Sequence, residues 1–230
     1  MSKHIGIIGC SSEGAALCYR TICLEAEPQM GMHAHPQITL HNYCLADYMK
    51  LVEPKADWHK VAELMLRSAE ALERAGADFL ITPDNTIHEA LPHVLPRSPL
   101  PWLHIAEEVG REAQRQGYGT LGITGTKYLV NGPVYPEKLK AMNIEYVLPS
   151  SDQQRNINNI IFDELVRGEQ KLESLFYFQQ VIERLKGSGC DAVVLGCTEL
   201  PLLVGDEETP LPVLDSTRIL ARAALRHALS

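Results

Sequence analysis

The apolar positions of this chain fall into short runs separated by longer stretches of helical period. The segments at 5–8, 78–82, 120–124 and 192–195 are brief, largely apolar and bounded by Gly or polar residues. Runs of that length suit strands buried on both faces of a parallel sheet. Between them, Val61, Leu64, Met65, Ala69 and Leu72 recur at close to 3.6-residue spacing, which predicts an amphipathic helix over 58–75 ending before Gly76. Further helices are predicted from the loop after Gly9 through about Glu25, over 87–94, 106–116, from near Tyr135, and over 152–167, 171–186 and 216–229. Strands are also read at 37–43, 102–105, 144–148 and 212–214, with 45–53 a loop or short helix and 205–209 a polar loop. Strands alternating with helices predict an α/β fold with short, mostly parallel sheets.

The pattern occurs twice. Residues 76–88 read GADFLITPDNTIH and residues 189–199 read GCDAVVLGCTE: each has Gly-x-Asp, four largely apolar residues, a break, and a reactive side chain beside a Thr. Asp84 falls where Cys197 falls. Upstream of each motif, at a similar distance, lies an apolar strand ending in Gly, HIGIIG at 4–9 and TLGITG at 120–125. A repeat of this kind implies two pseudo-symmetric lobes, here 1–100 completed by 208–230, and 101–207. Ligands of open α/β sheets bind at the carboxyl ends of the strands, so the expected site is an inter-lobe cleft into which the two lobes bring Asp84 and Cys197.

Composition narrows the function. The chain has 230 residues, 45% hydrophobic content and a formal net charge of −8, with no Lys/Arg run. That argues against nucleic acid or an anionic membrane surface as partner. The start, MSKHIGIIGC, enters a strand almost at once without a signal-peptide pattern, and no apolar stretch approaches a membrane span. A cytoplasmic location is expected. The six cysteines (Cys10, Cys18, Cys23, Cys44, Cys190, Cys197) form no CxxC pair and no metal-spaced cluster, so no metal is expected. Cys10 and Cys197 differ from the rest because each follows a Gly at a strand end.

The chemistry-bearing residues have plainer alternatives. Pro-Asp-Asn-Thr is turn sequence, so Asp84 can be a turn residue or helix cap. Cys197 can be a buried structural thiol. Thr86, Thr126 and Thr198 can be caps, and His88 and His104 packed side chains. The CSSEGAA loop after the first strand could hold an anionic group on its amides, but it lacks both GxGxxG and GxxxxGK[ST].

Taken together, IGIIG near the start, PDNTIH at 83–88, TGTKYLV at 124–130, INNIIFDEL at 157–165, LGCTELPLLV at 195–204 and LPVLDS at 211–216 resemble the aspartate/glutamate racemase superfamily. The likeness extends nearly end to end and is strongest to the enteric aspartate/glutamate racemases. It implies two lobes around an amino-acid site, no pyridoxal phosphate or other cofactor, a small-molecule partner that is an amino acid or related carboxylic acid, and a homodimer. It also implies Cα proton removal on one face and proton return on the other. Carried onto this chain, Cys197 takes one acid/base position, and Asn85, Thr86, Thr126 and Thr198 match residues that hold the α-carboxylate and amine.

Three departures mark this sequence. Asp84 stands where most members carry Cys and some Thr, which makes the acid/base pair asymmetric: a carboxylate near pKa 3.9 and a thiol near 8.5 as free groups. Burial would move Asp84 up toward the useful range. Tyr48 stands in DYMK where aspartate-specific members place a base; Lys50 and Arg167 are near in sequence but not assigned to the site. Cys10 and Ser11 belong to an altered N-terminal loop that replaces a Gly-Met turn. The racemase reading therefore competes with a single-thiol relative, such as a malonate-type decarboxylase or cis-trans isomerase, and with a non-catalytic carboxylate-binding protein.

Overall fold

The computed structural model describes residues 2–53, 55–204 and 209–230; Pro54 and most of the polar loop read at 205–209 lie outside the described residues. The chain divides into two compact units, Met1–Glu108 with Thr217–Ser230, and Val109–Ser216.

The first unit is built on β1 (Ile5–Gly9), followed by α1 (Ser12–Met30), β2 (Ile38–Asn42), α2 (Leu45–Val52), α3 (Trp58–Arg74), β3 (Phe79–Ile81), a 3₁₀ turn (Thr86–Ala90) and α4 (Leu91–Val94). Its three-stranded sheet has the order β2-β1-β3, and both pairings are parallel, with Ile5 opposite Ile38 on one side and Phe79 on the other. Side chains alternate across a strand. Ile5 and Ile7 therefore pack with Phe79 and Ile81 against Cys18 and Ile22 of α1, while Ile8 and Leu80 pack with Ala69 and Leu72 of α3. A helix layer on each face is what turns strands of continuous apolar sequence into a buried parallel sheet.

The unit boundary falls within α5 (Ile105–Gln116). The second unit continues with β4 (Thr120–Thr124), α6 (Lys127–Val130), α7 (Val134–Ala141), β5 (Glu145–Val147), α8 (Ser151–Asn159), α9 (Leu172–Gly187), β6 (Ala192–Leu195), α10 (Leu200–Val204) and β7 (Val213–Asp215). Its sheet runs β5-β4-β6-β7, again parallel throughout. Val193 and Leu195 bury against Phe178, Val181 and Ile182 of α9. The closing helix α11 (Ser216–Leu229) returns to the first unit, where Leu220, Ala224 and Leu225 join the α1 side of its core.

Three local readings differ from the structure. The 102–105 segment forms only a parallel bridge between Trp102 and Leu80, because Pro99 and Pro101 carry no amide to extend a ladder and Ile105 already starts α5. Helix α1 runs past Glu25 to Met30 with Pro28 inside it; the lost bond lies in the last turn, which closes with the Gly31 amide on the Glu27 carbonyl at 2.9 Å. Over 152–167 the helix passes from α8 into a π turn (Ile160–Glu164) and a 3₁₀ turn (Leu165–Arg167), a change of pitch that apolar spacing does not encode.

Candidate active site

Neighbouring strands in each sheet place the polar loops. In the first unit β1 and β3 are neighbours, and the loops that follow them meet. Asp84, three residues past β3, accepts the Cys10 amide on Oδ2 at 2.9 Å and the Ser11 amide on Oδ1 at 3.0 Å. Ser11 is also the N-cap of α1, its hydroxyl accepting the Gly14 amide at 3.1 Å. Amide donors on both oxygens stabilise the charged form of a carboxylate. The 3₁₀ turn that follows has Asn85 at its N-cap position, and the Asn85 side chain makes no capping bond there. Asn85 is buried and Thr86 half-buried.

Tyr48, on the inner face of α2, is 1% exposed. Burial pushes its phenol well above the ordinary value, and the nearby Cys10 and Asp84 push it further. It is a neutral group beside the Asp84 loop. Ser68 lies close enough to oppose that shift slightly, but no partner meets the hydroxyl at hydrogen-bond geometry among the described residues. Ser68 itself is engaged by His41 Nδ1 at 3.0 Å. Lys50 and Arg167 are exposed, and Lys50 pairs with Asp47 at 3.2 Å.

In the second unit β4 and β6 are neighbours, and their loops also run together. The Gly196 amide donates to the Thr124 carbonyl at 2.9 Å. Thr126 caps α6, its hydroxyl accepting the Leu129 amide at 3.4 Å. Cys197 and Thr198 form the turn between β6 and α10, 8% and 4% exposed. Both side chains donate to one oxygen, Glu199 Oε2: Cys197 Sγ at 3.0 Å and Thr198 Oγ1 at 2.7 Å. Glu199 is itself buried, at 5% exposure.

The structure thus gathers Cys10, Ser11, Asp84 and Tyr48 in one unit, with Asn85 and Thr86 following in sequence, and Thr126, Cys197 and Thr198 in the other. Glu199 was missed as a site residue. Its signal was a carboxylate two positions after a strand-end thiol in an apolar setting, where burying a charge requires donors. The His88 and His104 rings pack at a tilt with centroids 4.6 Å apart, and His88 Nε2 lies 3.0 Å from the Thr82 carbonyl. Among the described residues no cluster of His, Cys, Asp and Glu could hold a metal ion, and no helix is long and apolar enough to cross a membrane.

The two units share more than sequence. The order β2-β1-β3 in the first is matched by β5-β4-β6 in the second, with β7 added at the edge. Asp84 follows β3 and Cys197 follows β6, while Ser11 and Thr126 follow β1 and β4 as helix caps.

Known proteins share this fold. A crystal structure from Yersinia pestis, described as a candidate Asp/Glu racemase, is 31% identical with a TM-score of 0.90, covering 99% of this chain and 100% of that one. An aspartate racemase homologue from Pyrococcus horikoshii is 26% identical with a TM-score of 0.85, covering 99% and 100%. The broad specificity amino-acid racemase RacX of Bacillus subtilis is 22% identical over 169 residues, which are 74% of this chain and 73% of RacX. The family model described as Asp/Glu/Hydantoin racemase matches residues 5–224, which take in the second unit, most of the first and both candidate loops. This chain belongs to the Asp/Glu/Hydantoin racemase family.

Proposed function

We propose that this protein is an amino-acid racemase in which Asp84 and Cys197 are the acid/base pair and both act on one substrate molecule. Its family makes it an isomerase. The observation that carries the finer reading is the matched placement of the two residues: each lies just beyond the strand beside the first strand of its unit's repeat, at the carboxyl edge of a parallel sheet. Ligands of such sheets bind at that edge.

The mechanism follows from the groups present. The Asp84 carboxylate takes the α-proton, forming O–H and breaking Cα–H, and the electron pair passes into the substrate carboxylate as an enediolate. The Cys197 thiol then delivers its proton to the opposite face of Cα and becomes a thiolate. The reverse reaction runs the same transfers backwards. An α-proton beside a carboxylate is removable only when the enediolate is stabilised by donors. Asn85, Thr86, Thr126 and Thr198 are the candidates for that shell, with Cys10 and Ser11 shaping the loop and Tyr48 facing the substrate side chain. No group beyond these side chains is needed.

Tyr48 supports a substrate whose side chain is not a carboxylate. A buried distal carboxylate needs a fixed cation or several donors, and at this position α2 presents a neutral phenol. A homodimer is part of the same proposal, resting on family likeness, and is tested by light scattering. The racemase reading is tested by incubating purified protein with single enantiomers of acidic and non-acidic amino acids and resolving the products by chiral chromatography. Appearance of the opposite enantiomer supports it. Decarboxylation or isomerisation of a related acid without inversion, or binding without turnover, supports one of the other readings.

A further inference from the structure

We infer that Glu199 is a positioning residue that holds Cys197 in its protonated, proton-donating form, so that the resting pair is an Asp84 base and a Cys197 acid. The inference deepens the racemase reading and rests on it for its catalytic meaning, but the state of the thiol is a separate measurable property.

The geometry supplies the argument. Glu199 Oε2 is the acceptor for both the Cys197 thiol at 3.0 Å and the Thr198 hydroxyl at 2.7 Å, and all three side chains are more than nine-tenths buried. A carboxylate oxygen receives both as charge-assisted bonds. Its negative charge opposes a second one on the sulfur it touches, because like charges at contact distance disfavour one another and burial removes the water that would screen them. The thiol therefore keeps its proton at pH values where a free cysteine has begun to ionise. Of the charged groups on elements packed against β6 and α10, Arg167 of the 3₁₀ turn and Glu173, Glu183, Arg184 and Lys186 of α9 are exposed, while Asp215 of β7 is half-buried.

The opposite arrangement holds in the first unit. Asp84 has two amide donors, which favour charge. The two halves of the pair are thus set to different protonation states by different surroundings, amides on one and a carboxylate on the other. One enantiomer meets a base and an acid already in place. The other requires the pair to exchange protons first, leaving Asp84 protonated and Cys197 as thiolate.

The test is alkylation of the native protein by iodoacetamide across pH, quantified by mass spectrometry on the Cys197 peptide, since Cys44 is exposed and Cys23 half-buried and both will also react. The expected result is a midpoint for Cys197 above the ordinary thiol value of about 8.5. In Glu199→Gln the midpoint should fall, raising labelling at neutral pH by about tenfold for each unit moved, whereas Glu199→Asp, which keeps the charge, should remain closer to the native profile. A native midpoint at or below the ordinary value overturns the inference without any variant. So does a Glu199→Gln profile that is unchanged or moves upward. Loss of racemisation in every assay with the labelling shift intact would remove the catalytic reading and leave the Glu199 effect standing.

Discussion

Asp84 and Cys10 are joined across the first sheet, the Cys10 amide donating to Asp84 Oδ2 at 2.9 Å while its neighbour Ser11 donates to Oδ1 at 3.0 Å. One carboxylate thereby fixes the loop after β3 to the loop after β1. A substitution can separate that anchoring from the proposed acid/base role.

Asp84→Asn keeps size and one acceptor oxygen but turns an N–H toward a backbone amide. Leaving one buried donor unmatched should cost about 1–3 kcal/mol, read as a lower midpoint in urea denaturation. Racemisation should disappear, while at alkaline pH, where Cys197 ionises, one enantiomer still exchanges its α-proton with solvent through the thiolate and keeps its configuration. Racemisation at the parent rate would make Asp84 a loop anchor alone.

Tyr48→Phe separates packing from binding in the same unit. The buried hydroxyl meets no partner at hydrogen-bond geometry among the described residues, so removing it should change stability by less than about 1 kcal/mol. If Tyr48 faces substrate, kcat/KM should fall or its preference among side chains should change, with the thermal midpoint nearly constant. A fall in stability equal to the fall in activity would confine Tyr48 to the core.

Gly196 tests the second loop. A Cβ there would lie 2.6 Å from the Thr124 carbonyl oxygen and 2.4 Å from Leu129 Cδ2. The leucine can move, but the backbone oxygen belongs to β4 and cannot move without disturbing the strand pair. Gly196→Ala should cost about 1–3 kcal/mol and shift the Cys197 turn, lowering kcat more than it raises KM. Unchanged stability would mean that the turn relaxes freely.

Acid stability has an identifiable contributor in His227 of α11, whose ring meets Phe79 edge-on at 4.6 Å. Burial, and secondarily Lys3, lower its pKa against a smaller opposing effect of Glu108. The unfolded chain therefore binds a proton there more readily than the folded one. Stability is unaffected well above about pH 6.5, falls as pH drops below it, and stops falling once pH is under the lowered folded value. His227→Gln should lose less stability between pH 7 and pH 5 than the parent, measured by denaturation at each pH. An equal or greater loss in the variant would place the acid sensitivity elsewhere.

The place of the candidate residues at the strand ends was legible in the chain, for a definite reason. Strands buried on both faces leave short apolar runs, and the residues just beyond Ile81 and Leu195 had to be loop residues at the edge where ligands bind. That is why Asp84 and Cys197 could be singled out. The partners of those residues were not legible, because they depend on which loop lies beside which. The amides of Cys10 and Ser11 reach Asp84 only because β1 and β3 are neighbours, and backbone donors leave no mark in sequence. Glu199 lay inside the motif, yet its fold toward Cys197 and Thr198 depends on the turn between β6 and α10. The π turn after Asn159 and the reduction of 102–105 to a single bridge likewise depend on tertiary packing and on proline backbones that period alone does not weigh.

The central claim is that Asp84 and Cys197 exchange protons with the Cα of one amino acid. Its most direct measurement is proton NMR of L- and D-amino acids incubated with the enzyme in deuterium oxide, for the parent protein and for Cys197→Ser. The account predicts that at least one amino acid loses its α-proton signal with the parent as the opposite, deuterated enantiomer appears, and that Cys197→Ser abolishes inversion while substrate binding remains measurable. Inversion undiminished in Cys197→Ser, or exchange absent from every amino acid that binds the parent, would contradict it.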